Sequence, residues 1–202
     1  MTFRLFRCDV TISVPFAAML AALLYFDRTG LFPLALAVVL IHETGHIAAC
    51  RMLHQLPSRI VLRPGAVQIF TPPSVLPPLW DVVIALAGPL LNLAAGAVAA
   101  LVYAFCCQHV NLLVFIAGNL AAALFNLMPV QGLDGGRVLE LILYAQMGEN
   151  AVRVLKWISF FFILLLLAAG LWVFIHSLGN PTLLIAALYL AALWLMGIKS
   201  KN

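Results

Sequence analysis

The stretch PLALAVVLIHETGHIAACRM, residues 33–52, decides how the whole chain is read. Twenty residues that are this apolar are long enough to cross a bilayer as a helix. Yet two histidines and a glutamate interrupt it, and ionisable groups inside a span default to function because each is expensive there. On a helix, His42 and His46 are four residues apart, so they project from one face and can grip a single ion. Glu43 follows the first histidine and can reach a water on that ion, where a carboxylate accepts and returns a proton. A satisfied polar cluster between helices is the bland alternative.

The rest of the chain has the same character. Of 202 residues, 65% are hydrophobic and only 9% charged, whereas a soluble domain is about a quarter charged. Six apolar segments recur, at roughly 11–26, 33–52, 80–106, 111–128, 153–176 and 182–198. The expected fold is therefore an all-α polytopic membrane protein, a single domain over residues 1–202. Arg4 and Arg7 ahead of the first segment resemble a signal peptide, but no small-residue cleavage site follows, so a retained span is expected.

The net charge of +4 does not point to nucleic acid, because the basic residues form no patch. They track topology instead. Arg4, Arg7, Arg51, Arg59, Arg63, Arg137, Arg153, Lys156, Lys199 and Lys201 fall on one side if the spans alternate, and only Arg28 falls on the other. The positive-inside rule then places both termini in the cytoplasm. His46 lies five residues before Arg51, about 8 Å along a helix, so the histidines are expected nearer the cytoplasmic face than the bilayer middle. The cysteines Cys8, Cys50, Cys106 and Cys107 lack metal-finger spacing and read as packing residues.

Two connections are more than loops. Residues 57–71, PSRIVLRPGAVQIFT, hold two β-prone runs around a Pro-Gly signal, so a membrane-associated β-hairpin is expected. The segment NLMPVQGLDGG, residues 126–136, breaks helix with a proline and three glycines. Broken backbone at membrane depth needs protein or water to satisfy it. Asp134 sits in that segment, and Gly135 and Gly136 would let its carboxylate approach a metal. Read without the histidines, it is equally an ordinary Asp-Gly turn.

HETGH, AGPLLN (residues 87–92) and FNLMPVQGLDGG (residues 125–136), in this order and spacing, resemble the site-2 protease family of intramembrane zinc metalloproteases. The compact form most resembles the branch containing the sporulation protease that processes a pro-sigma factor. The resemblance implies one zinc ion per chain, ligated by His42, His46 and Asp134, with Glu43 as catalytic base. It implies that the motif from Asn126 through Pro129 to Asp134 positions substrate, Asn126 making a polar contact. Asn92 is a further candidate for substrate positioning, or for a hydrogen bond across a close approach permitted by Gly88 and Pro89. The implied activity is cleavage of a membrane-embedded or membrane-associated protein near the cytoplasmic face, a pro-sigma factor being one such substrate. A membrane inhibitor or regulator is an implied partner. The implied location is the bacterial cytoplasmic membrane, or a forespore-surrounding membrane if the role is in sporulation. The chain departs from the family at Gln131, where a second proline is usual, and neither a CBS nor a PDZ domain is expected. A membrane metal transporter and a catalytically inactive adaptor are the rival readings.

His54, His109 and His176 fall near segment ends and are expected to be interfacial rather than ligands. Asn119 and Asn126, seven apart, mark an inward helix face.

Overall fold

The structure, a computed structural model, describes residues 2–5, 8–54, 59–63, 66–70, 77–176 and 181–195. Its elements in chain order are β1 (Thr2–Leu5), β2 (Cys8–Ile12), α1 (Val14–Phe26), α2 (Leu31–Met52), β3 (Arg59–Arg63) and β4 (Ala66–Phe70). There follow α3 (Pro78–Phe105), α4 (Val110–Asn126), α5 (Asp134–Met147), α6 (Asn150–His176) and α7 (Thr182–Leu195). The chain divides into two compact units, one running to Ala123 and one starting at Leu124.

In the first unit, β3 and β4 pair antiparallel with Arg59 opposite Phe70 and Arg63 opposite Ala66. The sequence predicts only that pair of strands. The structure adds β1 and β2, giving one sheet in the order β1-β2-β3-β4, with β2 parallel to β3. Residues 11–12 therefore belong to a strand and not to the first apolar helix. The physical reason is local: Val10, Thr11 and Ile12 are β-branched and favour extended backbone. The helix begins only where the Ser13 hydroxyl accepts a hydrogen bond from the Phe16 N–H and Pro15 sits in the first turn.

Helix α2 starts at Gly30, whose left-handed φ of 71° suits a residue without a side chain. The Asp27 carboxylate caps this turn, accepting from the N–H groups of Thr29, Gly30 and Phe32 and from the Thr29 hydroxyl. Helix α3 carries Pro78 at its start and Pro89 in its interior. Pro89 has no N–H, so one rung of the helical ladder is missing. The buried face of α3, including Ile84, Ala85, Gly88 and Asn92, recurs at helical spacing. Against it lie Ala49 and Cys50 of α2, with Leu53 and Ala87 closing the cluster. On α4, Gly118 faces Val38 of α2, and Asn119 is fully buried.

In the second unit, Val130, Ile163 and Leu190 form a core flanked by Phe125, Met128, Leu133 and Trp194. Gly170 brings α6 close to α7: a Cβ there would lie 2.9 Å from the backbone of Leu184. The Trp194 indole donates to the Lys156 carbonyl at 3.1 Å. Helix α5 is an element that the sequence reading missed. Glu140 and Glu149, near Arg137 and Arg153, look like interfacial charges in the sequence, but half-buried Val138, Leu139 and Leu141 give the helix an apolar side.

Among the described residues, three helices, α2, α3 and α6, are long and apolar enough to cross a membrane. Helices α1, α4 and α7 are apolar but have 13, 17 and 14 residues. At 1.5 Å per residue they span about 20–26 Å, short of the ~30 Å hydrocarbon core. Large apolar side chains cover the exterior, among them exposed Leu90, Val98 and Leu101 on α3 and Phe161, Leu165 and Trp172 on α6. Patches of that extent suit lipid rather than water.

Candidate metal centre

The HETGH run lies in the second half of α2, so helical spacing alone puts both imidazoles on one side. Their Nε2 atoms are 3.1 Å apart, and the rings stand nearly perpendicular, 82° between planes. Two nitrogens on one tetrahedral zinc ion, at ~2.0–2.1 Å each, would be separated by about 3.3 Å. The two histidines thus hold chelating spacing. His42 is buried, while Glu43 and His46 are half-buried.

His46 is oriented from outside its own helix. Its Nδ1 lies 2.8 Å from the backbone carbonyl oxygen of Ile84 on α3. A carbonyl only accepts, so Nδ1 carries the proton and donates it. The neutral ring then presents Nε2 as a lone pair, the usual arrangement in which an outer hydrogen bond fixes a metal-binding histidine.

That contact requires α3 to lie unusually close. A Cβ on Gly88 would overlap the His46 ring and come within 2.9 Å of His42 Cε1. A Cβ on Gly45 would sit 2.9 Å from the Cα of Gly88. The glycine of HETGH and the glycine of AGPLLN are therefore paired across the helix contact, backbone on backbone. The sequence reading anticipated Gly88 but not Gly45, whose signal was present in the motif itself. The Ile84 carbonyl had no signal, because a backbone acceptor is independent of side-chain identity.

Asp134 is the first residue of α5 and is half-buried. It follows a turn in which Met128 N–H donates to Phe125 and Leu133 N–H to Val130, while Gly132 takes a φ of 99°. Imidazole nitrogens and a carboxylate oxygen are donor types that zinc accepts.

The remaining candidates are placed as follows. Asn126 ends α4, and Pro129 lies in the following turn; both are half-buried. Asn92 is fully buried one turn after Gly88, beside a cavity of about 190 Å³ lined with Gly96, Ala97, Ala100, Ile116 and Leu120. Neither amide atom of Asn92 has a hydrogen-bond partner among the described residues. Asn119 donates from Nδ2 to the Phe115 carbonyl one turn back, a local bond within α4. His54, His109 and His176 are exposed at element ends. Cys50 is buried, Cys106 and Cys107 are exposed, and the Cys8 side chain lies outside the described residues.

These helices define a polytopic membrane fold with an H-E-x-x-H helix packed on a glycine-bearing neighbour. The fold is one already seen in a solved structure: the chain is similar to the Site-2 Protease from Methanocaldococcus jannaschii. The match covers 94% of this chain and 91% of that one, with a TM-score of 0.68 and 24% sequence identity. At that identity the likeness is one of fold. No family model and no curated protein matches the chain.

Proposed function

We propose that the protein is an intramembrane zinc endopeptidase, with His42, His46 and Asp134 as metal ligands and Glu43 as general base. The observation that carries this is the pair of Nε2 atoms converging to 3.1 Å on a helix apolar enough to cross the membrane. A bound zinc ion would supply Lewis acidity and bring the pKa of water towards neutrality. Glu43 takes the proton from the attacking water and returns it to the leaving nitrogen of the peptide. The Ile84 carbonyl keeps the His46 ring in the tautomer that ligation needs.

A substrate helix must unwind before its peptide bond can be attacked. The sheet supports one route, since β4 is an edge strand and can accept an extended segment by strand addition. Val67→Pro on β4 is expected to lower cleavage with zinc content unchanged; unchanged cleavage removes the sheet from the mechanism. Asn126 and Pro129 position the substrate ahead of Asp134. Asn92, being fully buried, contributes through the packing of α3.

In this reading the shorter helices α1, α4 and α7 join the three long ones to make six spans. Both termini are cytoplasmic, and the site opens towards that face of a bacterial cytoplasmic membrane. Substrates are membrane-embedded or membrane-associated proteins, a pro-sigma factor in sporulation being the narrowest version, and a membrane protein acts as inhibitor or regulator.

The experiment compares wild type with Glu43→Gln in proteoliposomes, measuring bound zinc and cleavage of a single-pass transmembrane substrate. Zinc retained with cleavage reduced by about 10²–10⁴-fold supports the peptidase. Zinc transport that survives the substitution favours a transporter. Wild-type protein that binds no metal favours an adaptor.

A further inference from the structure

Gln131 occupies a position where the motif pattern usually has proline, and it uses the group that proline lacks. Its backbone N–H donates to the Ser159 hydroxyl oxygen at 2.8 Å. Ser159 is fully buried on α6, one turn from Ile163. Val130, the residue before Gln131, is also fully buried and packs in the core with Ile163 and Leu190. The turn is therefore held to α6 by one apolar and one polar anchor at adjacent residues.

From the other side, the first turn of α5 presses on the same segment. A Cβ on Gly136 would lie 2.6 Å from the Val130 carbonyl carbon, and one on Gly135 would lie 2.8 Å from the Met128 oxygen. The turn that delivers Asp134 is clamped between α5 and α6. A proline ring would stiffen such a turn by fixing φ. Here glutamine leaves φ free and adds a backbone donor, which the buried Ser159 hydroxyl meets.

We propose that Ser159 is a positioning residue for Asp134: its hydroxyl, paired with the Gln131 N–H, does the stiffening that proline does in the motif pattern. This rests on Asp134 being a metal ligand. Hydrogen bonds made directly to a ligand typically change metal affinity by about 10–100-fold, and Ser159, acting through the turn and not on Asp134 itself, is expected at the lower end.

The test is a double-mutant cycle on full-length protein in detergent, read by zinc affinity against a chelator and by hydrogen exchange at the Gln131 amide. Ser159→Ala should weaken zinc binding by about 10-fold and speed exchange at residue 131. Gln131→Pro in the Ser159→Ala background should recover most of the lost affinity, because no donor is left to satisfy. Gln131→Ala, which keeps the N–H, should match wild type. Zinc affinity left unchanged by Ser159→Ala, or a double variant no better than Ser159→Ala, overturns the positioning role. Wild-type protein that takes up no zinc overturns the metal-centre reading itself and takes this role with it. Zinc coupling that holds in a protein cleaving no substrate leaves Ser159 as positioned here and overturns only the peptidase.

Discussion

On α2, the two imidazoles converge because four residues make about one helical turn, and a neighbouring carbonyl sets the orientation of one ring. At the start of α5, Asp134 is delivered by an irregular turn that two helices and two glycines hold in shape. Of the donor set proposed above, one half is built by periodicity and the other by packing. A half built by periodicity withstands changes in its own helix better than intrusion from outside. A half built by packing depends on every surface that touches it.

Gly88→Ala attacks the first half from outside and should have the largest effect. Its methyl group would enter the space of the His46 ring and press on the His42 ring, the two imidazoles whose spacing the site depends on. Zinc affinity should fall by about 100-fold or more, measured by chelator competition. Near-wild-type affinity would show that α3 does not set the ring. Gly136→Ala attacks the second half. The added methyl meets the carbonyl of Val130, backbone against backbone. Overpacking of that kind destabilises by about 1–3 kcal/mol, more than the ~1 kcal/mol that alanine gains in helix propensity. Denaturant unfolding should show the net loss, with zinc affinity falling alongside. Gly96→Ala sharpens the comparison as a control on the same helix as Gly88. Its Cβ would make ordinary contact with Asn119 Cβ at 3.4 Å, so zinc binding should be unchanged and stability equal or slightly higher.

The smallest effect is expected at the turn into α2. The Thr29 hydroxyl, followed by the N–H groups around it, holds the Asp27 carboxyl below its usual value. A carboxyl with a lowered folded pKa stabilises above its unfolded value and loses that contribution as pH falls through the folded one. The difference in thermal midpoint between wild type and Asp27→Ala should therefore be present at neutral pH and shrink below about pH 4. A difference independent of pH would assign the effect to helix capping by shape alone.

The same division explains what could be read in the sequence. Helices α2, α3 and α6 are legible because sustained apolar runs leave few alternatives, and their ends fall within three residues of the expected ones. HETGH is legible because its chemistry is local. Strands β1 and β2 are not, because β2 is stabilised by pairing with residues some fifty positions away. Helix α5 hides behind charges at Arg137, Glu140 and Glu149 that look interfacial. Ile84 and Ser159 act through a carbonyl oxygen and on a backbone amide, groups that every sequence carries and none advertises.

The parallel pairing of β2 with β3 also governs the order in which the first unit can be assembled. Asp9 pairs with Arg59 and Ile12 with Leu62, so α1 and α2 lie between the two partners along the chain. During synthesis the β1–β2 hairpin can form at once, but β2 must wait for both helices and β3 to emerge. Contacts this distant in sequence close late and slowly. When they close, the hydrogen bonds of one sheet join β2, which leads into α1, to β3, which follows α2.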